Sequence, residues 1–411
     1  MPVVTFTTDH ALQKSALRQA NDRLVLNLIR QNSGVSRADI VRLTGLAASS
    51  ITFIVRRLKK EKLISEEKID KRPGLGRQPT ALRLLASART VIGMAFDPDG
   101  AHILMADLEG APLSRKTIPM QANQELFFRK VNAALCGLVQ ALAPGQLLGV
   151  GVALPGTIDS ATGKVIGAEN LGWFGVEVGA LIRCGVPVPF RFENVARLSA
   201  LAEQWFAPAE TPGLRDFVSV VARGGIGTGV IAGGQLLRGA TSAGGEFGHI
   251  SLYLDGRRCA CGNIGCWEQY ASDLALSRAY AEQAAGEELS VDAIIARARA
   301  KEPAALKAVD AIARHVGLGF VNLVMALNPQ AIVVGDYLAD VWDLIGETVW
   351  TVLRSRAPGY TLSALRIYPS RHKGEAPLMG AIALVLGRFF SSFEQGGEAG
   401  PVSSVLMENH A

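Results

Sequence analysis

The stretch that organises this chain, residues 244–268, reads GGEFGHISLYLDGRRCACGNIGCWE and holds three of its five cysteines. Its Cys-x-Cys-x4-Cys pattern, preceded by a histidine, offers three thiolates and an imidazole, the donor set of a closed tetrahedral zinc site. Six glycines allow a tight knuckle around an ion. The pattern predicts a structural zinc held by His249, Cys259, Cys261 and Cys266. The alternatives are three buried free cysteines beside a core histidine, or a disulfide.

Two glutamates, Glu246 and Glu268, flank these four residues in the sequence. Hard carboxylates are poor partners in a thiolate-rich site, so we expect both to serve another purpose. The other two cysteines, Cys136 and Cys184, are most simply core residues. An odd number of cysteines, with three clustered, is typical of a reducing compartment.

The charge of the chain is unevenly distributed. Residues 1–90 contain 17 Lys and Arg against 7 Asp and Glu, a net of +10, and the remainder carries 25 against 30, a net of −5. A basic module on a mildly acidic globule indicates a polyanionic partner, although a well-solvated surface is the alternative. The N-terminus has no signal-peptide pattern, and no uninterrupted apolar run is long enough to cross a bilayer. We expect a cytoplasmic, nucleoid-associated protein without a membrane partner.

Apolar residues at helical spacing across residues 24–29 precede a break at residues 32–34, which predicts a first helix. Ser36, with Asp39 three residues later, resembles a capping box, and that helix should end at Gly45. The next helix, over residues 48–61, should bury one apolar stripe and expose short hydroxyl side chains and cations. Two helices joined by a short glycine-containing turn predict a helix-turn-helix.

The segments that follow predict a β-wing. Residues 63–65 and 81–84 are plausible strands, and their loop, residues 71–79, is rich in glycine, proline and cations that suit a minor groove. A plain three-helix bundle is the alternative. The candidate contacts to a double-stranded DNA operator are Ser36, Arg37, Ser49, Ser50, Thr52, Arg56, Arg57, Arg72 and Arg77.

Beyond residue 90 short apolar runs alternate with glycine turns and amphipathic helices, which is typical of an α/β fold. The predicted strands cover residues 91–96, 103–107, 148–153, 190–193, 217–222, 229–232 and 331–334. The predicted helices cover residues 123–142, 196–205, 305–326 and 378–389. We therefore expect a winged helix-turn-helix over residues 1–88, a two-lobed domain over residues 89–391 and a flexible tail over residues 392–411.

Several short motifs occur in the order found in one known family. They are Leu154-Pro155-Gly156, Glu193-Asn194, the glycine-rich residues 225–229, residues 246–249 and the cysteine run that ends at Glu268. With these motifs the chain resembles the repressor, open-reading-frame and kinase (ROK) family over nearly its whole length. The resemblance implies an actin-like, hexokinase-like fold of two lobes, with the N-terminal winged helix of the family's repressor branch.

The resemblance also assigns roles to residues. It implies that His249, Cys259, Cys261 and Cys266 hold a structural zinc, and that a sugar faces Asn194, Glu246, His249 and Glu268. Asn170 lies where the family often places a further sugar contact, although a simple loop asparagine is an equal alternative.

Three departures disfavour kinase activity. In the family's kinases a catalytic aspartate follows the asparagine, whereas here Asn194 is followed by Val195, which cannot accept a proton. Glu193 should point to the opposite face of its strand. The first phosphate loop reads Asp97-Pro98-Asp99-Gly100-Ala101, and a glycine pair near the adenosine is Gly335-Asp336. Residues 225–229 keep their glycines and could serve only as a hairpin turn.

These features predict a regulator, most simply a repressor of carbohydrate-metabolism genes, whose lobes bind a monosaccharide or its derivative. A homodimer or homotetramer would change the spacing of its winged helices when the cleft closes. His249 could couple metal and sugar through its two ring nitrogens. An active ATP-dependent sugar kinase with a DNA-binding domain, and a scaffold controlled by a protein partner, are the rivals.

Overall fold

The computed structural model describes residues 14–68, 80–206 and 213–391. The helices are α1 Lys14–Gln31, α2 Arg37–Thr44, α3 Ala48–Lys60, α4 Gln124–Gln140, α5 Val178–Leu181, α6 Val195–Trp205, α7 Glu268–Ala271, α8 Asp273–Gln283, α9 Val291–Arg299, α10 Pro303–Leu327, α11 Tyr337–Asp340, α12 Trp342–Arg356, α13 Gly359–Leu362 and α14 Ala376–Phe390. The strands are β1 Ile64–Lys68, β2 Thr80–Leu84, β3 Thr90–Asp97, β4 Gly100–Asp107, β5 Pro112–Pro119, β6 Leu147–Leu154, β7 Thr157–Asp159, β8 Lys164–Ala168, β9 Trp173–Glu177, β10 Phe190–Asn194, β11 Phe217–Ala222, β12 Ile226–Ala232, β13 Gln235–Leu236, β14 Ala331–Val334 and β15 Arg366–Pro369.

The N-terminal part is a winged helix-turn-helix, as predicted. The backbone N–H of Asp39 donates to Ser36 Oγ at 3.2 Å, and the backbone N–H of Ser36 donates to the Asp39 carboxylate at 3.1 Å, which completes the capping box. Gly45 ends α2 with φ 67°, a left-handed conformation that glycine adopts without strain. Strands β1 and β2 pair antiparallel as the wing.

Two five-stranded sheets repeat one topology. The first has the order β10-β6-β3-β4-β5 and the second the order β13-β12-β11-β14-β15. In each, three successive antiparallel strands are followed by two strands that add in parallel on the other side of the first. Helix α6 lies between the sheets, in contact with β11, β12 and α14. The two-lobed actin-like class is therefore confirmed.

The structure corrects some predicted elements. The link between β11 and β12 spans only Arg223 to Gly225, because β12 begins at Ile226 and the following glycines pair within the strand. The edge strand β5 and the small antiparallel sheet β7-β8-β9 were not predicted. Strand β5 is mostly exposed, and the strands of the small sheet are only three to five residues long, so neither has the continuous apolar run that indicates a buried strand.

Helix α10 is, by length and composition alone, long and apolar enough to cross a membrane. It lies at the centre of the second lobe, where Val316, Phe320 and Leu323 are fully buried. Helix α12 packs along it, and Lys307 and Arg314 stay on its exposed side. It is therefore the core helix of that lobe.

The winged helix and the first lobe share one apolar core. Leu26 and Ile29 of α1 belong to the same buried cluster as Leu386 and Phe390 of α14. The guanidinium of Arg30 lies 4.3 Å from the ring centre of Trp205, at the C-terminal end of α6. The basic module is distinct in charge, but it is packed directly onto α6 and α14.

This shared core leads to a prediction about stability. Replacing the buried Phe390 by alanine should lower the free energy of unfolding by about 3–5 kcal/mol, because it leaves a cavity between the two parts. Phe389→Ala is the matched control and should cost less than half of that, since its ring is only partly buried. Urea unfolding followed by circular dichroism measures both. A separate early transition for the N-terminal part of the wild-type chain would contradict the shared core.

Candidate functional site

A cleft of about 620 Å³ lies between the two lobes. The five residues expected to face a sugar all line it: Asn170, Asn194, Glu246, His249 and Glu268. Asn170 is exposed on a 3-10 turn, Glu246 precedes a second such turn, and Glu268 begins α7. The topology thus gathers side chains that are up to 98 residues apart in the sequence, Asn170 and Glu268.

Asn194 has a structural role in addition to its place in the cleft. Its Oδ1 caps α6 by accepting from the backbone N–H groups of Ala196 and Arg197 at 2.8 and 3.3 Å. Its Nδ2 donates to the carbonyl oxygen of Gly156 at 2.9 Å. Only one amide hydrogen therefore remains for a ligand.

The carboxylate of the preceding residue, Glu193, is buried and does not line the cleft. Glu193 is 1% exposed, and its oxygens accept from Arg197 Nε at 2.8 Å and Arg238 Nε at 2.9 Å. Ser160 Oγ also donates to it at 3.3 Å. Both of its oxygens are therefore occupied by guanidinium groups, which agrees with the expectation that Glu193 does not replace an aspartate at position 195.

Arg197 is a site residue that the sequence reasoning missed. It is 2% exposed and lies 3.7 Å from Glu246 Oε1, so it connects Glu193 with a cleft carboxylate. Burial raises the pKa of Glu246, and the charges of Arg197 and His249 oppose that rise. The signal was present, because an arginine four residues after a glutamate at the start of a largely apolar helix predicts an ion pair.

The four expected metal ligands come together as predicted. One ligand atom from each of His249, Cys259, Cys261 and Cys266 lies within 4.8 Å of the others. Cys261 Sγ is 3.7 Å from Cys266 Sγ, and His249 Nδ1 is 3.7 Å from Cys259 Sγ. Tetrahedral zinc–sulfur bonds of about 2.3 Å place neighbouring sulfurs roughly 3.8 Å apart. The donor set and its spacing therefore fit a zinc ion.

Glu268 contacts two of the expected metal ligands, whereas the sequence predicted that it serves a separate purpose. The thiol of Cys259 donates to its Oε1 at 2.9 Å, and His249 Nδ1 lies 3.6 Å from the same oxygen. Burial, followed by the hydrogen bond to Glu268, raises the pKa of Cys259 well above its ordinary value. A cation beside these groups would favour the thiolate, which is the form that binds metal.

The half of the cleft near the turn between β11 and β12, Arg223 to Gly225, contains ion pairs. Asp97 Oδ1 accepts from the backbone N–H groups of Asp99 and Gly100 at 2.9 and 3.1 Å, and His102 Nε2 lies 3.2 Å away. Arg223, from the opposite lobe, donates to Oδ2 at 3.3 Å. Burial alone would raise the pKa of Asp97, but these partners lower it, so it stays an anion.

Asp336 adds a further acidic group to this half of the cleft. Its backbone has φ 50°, a conformation that favours glycine, and its side chain lines the cleft. Burial raises the pKa of this carboxyl. Phosphate-binding loops place backbone N–H groups, not carboxylates, at such positions.

On the surface predicted to face DNA, some of the predicted cations are paired with carboxylates. Arg57 donates to Asp22 of α1 at 2.9 Å, and Arg37 donates to Glu66 of the wing at 3.1 Å, so both help to hold the module together. Arg56 and Lys60 are exposed and have no ion-pair partner among residues 14–68 and the rest of the described chain. Arg72 and Arg77 lie outside the described residues.

The remaining predicted contacts lie on the two helix starts. Ser49 and Ser50 are exposed in the first turn of α3, and Thr52 is exposed one turn further on. Ser36 is occupied as the cap of α2. The exposed face of α3 thus presents short polar groups near its N-terminus and cations beyond them, as major-groove recognition requires.

A winged helix packed on two actin-like lobes, with a polar cleft beside a thiol cluster, defines a class of DNA-binding proteins built on a sugar-kinase scaffold. The chain belongs to the ROK family, whose profile matches residues 97–388. The profile for a winged helix-turn-helix DNA-binding domain matches residues 18–65.

Three relatives illustrate the match. The chain is 28% identical over 393 residues to the xylose repressor of Caldicellulosiruptor bescii. The alignment covers 91% of this chain and 97% of that protein. A solved structure described as a ROK family transcriptional regulator, homolog of E. coli MLC protein, matches with a TM-score of 0.79 at 25% identity over 92% of this chain and 98% of that chain. A ROK family glucokinase from Streptomyces griseus, solved with glucose and AMPPNP, matches with a TM-score of 0.63 at 27% identity over 72% and 98%. The regulators thus match over the winged helix as well.

The thiol cluster leads to a prediction about metal content. Purified protein should contain about one zinc per chain, and Cys259→Ser should lose most of it and melt at a lower temperature. Cys184→Ser is the control, because its buried thiol lies outside the cluster and should leave the zinc content unchanged. Elemental analysis with a thermal melt measures both. Metal-free wild-type protein that melts no higher after zinc is added would refute the assignment.

Proposed function

We propose that this chain is a sugar-responsive transcriptional repressor of carbohydrate-metabolism genes that has lost kinase activity. The observation that carries the proposal is the packing of a winged helix, with an exposed polar recognition face, onto two helices that begin at a polar interlobe cleft. Relatives named xylose repressor and ROK family transcriptional regulator match 91% and 92% of the chain, enough to include both the winged helix and the lobes.

The cleft is suited to a monosaccharide or its derivative. Its volume lies within the range of small-ligand sites, and carboxylates, an imidazole and amides converge on it. Glu246, His249, Glu268 and Asn170 would accept or donate hydrogen bonds to sugar hydroxyls, and Asn194 would contribute its one remaining amide hydrogen.

Phosphoryl transfer is disfavoured at this site. Val195 lines the cleft where the family's kinases carry the catalytic aspartate, and Glu193 is tied to Arg197 and Arg238. Loss of a general base typically costs about 100-fold to 10,000-fold in rate. Asp97 adds an anion, and Asp336 a carboxyl group, where phosphates would lie. The rival, an active sugar kinase, is supported by the glycine turn that persists after β11.

The signal would travel along two helices. Helix α6 begins at Val195, directly after Asn194 in the cleft, and ends at Trp205, while α14 begins at Ala376, with Leu378 of its first turn in the cleft, and ends at Phe390. Trp205 and Phe390 both contact Arg30 of the winged helix. A ligand that shifts the N-terminal ends of these helices would therefore move the DNA-binding part.

A structural zinc held by His249 and the three cysteines would make the knuckle part of this path. With Nδ1 beside the thiols, Nε2 of His249 is left for a sugar hydroxyl. Palindromic operators require two winged helices, so we propose a homodimer or homotetramer. Its place of action would be the cytoplasm, on the nucleoid.

The arginines of α3 allow a test of DNA binding. Arg56→Ala should weaken operator binding and lower the magnitude of its salt slope by about one, because one phosphate contact is lost. Arg57→Ala is the matched control and should lower stability through the lost pair with Asp22 while leaving the salt slope unchanged. Fluorescence anisotropy over a salt series measures both. Equal salt slopes for Arg56→Ala and the wild type would argue against this recognition face.

A second test concerns the ligand. A thermal-shift screen of monosaccharides and their derivatives should identify one that raises the melting temperature, because it binds only the folded state. Glu246→Gln should weaken that ligand by about tenfold or more through the loss of a charged hydrogen bond. The exposed Glu347→Gln is the control.

The same preparation should form no ADP from ATP in the presence of the ligand. ADP formation at a rate typical of kinases would establish the rival enzyme. A screen without any sugar hit, followed by capture of a transporter component, would favour control by a protein partner instead.

A further inference from the structure

The recognition face of α3 contains an exposed aromatic side chain. Phe53 is 61% exposed, although the buried side of the same helix is well filled by Ile51, Ile54 and Val55. Within the described residues no aromatic ring or cation pairs with the Phe53 ring. Its exposure leaves apolar surface in water that burial against a partner would remove.

The neighbours of Phe53 indicate what that partner is. On a helix, positions 49, 53, 56 and 60 lie along one face, so Phe53 sits between Ser49 and the unpaired cations Arg56 and Lys60. This is the face that a helix-turn-helix turns toward the major groove. Short serines allow the helix to approach closely, and the cations suit the flanking phosphates.

Thr52 is also exposed on α3. Its hydroxyl donates to the carbonyl oxygen of Ala48 at 2.9 Å, so its hydrogen is used within the helix. Toward a nucleic acid Thr52 therefore presents its methyl group and a hydroxyl oxygen that can accept. The ring of Phe53 has neither a donor nor an acceptor for a base edge.

The C5 methyl of thymine is the apolar group that the major groove presents, and phenylalanine is among the side chains that contact it. We propose that Phe53 is a specificity-determining residue that recognises thymine in each operator half-site through this methyl. The inference rests on the proposed function, since it names the base that the recognition helix selects. It predicts operators with a thymine facing the middle of α3 in both half-sites.

The experiment starts from operators selected out of random duplex DNA by the full-length protein, with and without the sugar panel. Each thymine of a selected half-site is then replaced by deoxyuridine, which removes only the methyl group. We expect one or two positions per half-site at which this replacement weakens binding by about threefold to tenfold, the effect of losing one buried methyl.

Phe53→Ala should abolish that difference, so that thymine and uracil duplexes bind within about twofold of each other. Alanine favours helix, and most of the Phe53 side chain is exposed, so the variant should fold. Leu43→Ala is the matched control: Leu43 is 52% exposed on α2, and its loss should leave the thymine preference intact.

The outcomes separate the two proposals. A selection that enriches no sequence overturns the proposed function and this inference together. Enriched operators with no uracil-sensitive position, or with a sensitivity that survives in Phe53→Ala, overturn only the role of Phe53. A change of oligomeric mass in Phe53→Ala with an unchanged thymine preference would assign the ring to a protein contact instead.

Discussion

The buried carboxylate of Glu193 is the interaction on which the rest of the cleft depends. Desolvating such a charge costs several kcal/mol, so it persists only where good hydrogen bonds offset the cost. Here Arg197 of α6, Arg238 after β13, Ser160 after β7 and the backbone N–H of Asn194 all donate to it. One side chain therefore holds the start of α6 against both lobes.

This arrangement explains how a kinase scaffold can serve as a sensor. Arg197 lies between Glu193 and Glu246 and is almost completely buried. Its positive charge therefore offsets the negative charge of Glu246 in the cleft from inside the protein. At the other end of the cleft, Asp97 of the first lobe and Arg223 of the second form a salt bridge of 3.3 Å that joins the two lobes directly. Polar groups that could hold a sugar line the cleft, while position 195 is a valine and Glu193 is paired with two arginines.

Much of this could be predicted from the sequence because the signals were local. The capping box at Ser36, the stripe of Ile51, Ile54, Val55 and Leu58, and the cysteine spacing each depend on neighbours a few residues away. The buried strands of both sheets were also predicted, since their apolar runs are continuous. The edge strand β5 and the small sheet β7-β8-β9 were missed, because an exposed strand or a very short one has no such run.

By itself the sequence determined the family, the winged helix, the two-lobed fold and the four residues of the thiol cluster. Only the tertiary structure decided which charges are free. Arg37 and Arg57 are neutralised by Glu66 and Asp22, and Glu268 lies against Cys259. The physical reason is that an ion pair depends on distance in space, and these partners come from different elements of the fold. The spacing of a motif can predict ligands that lie together within one loop. Ion pairs between different helices and strands can be identified only once those elements have packed.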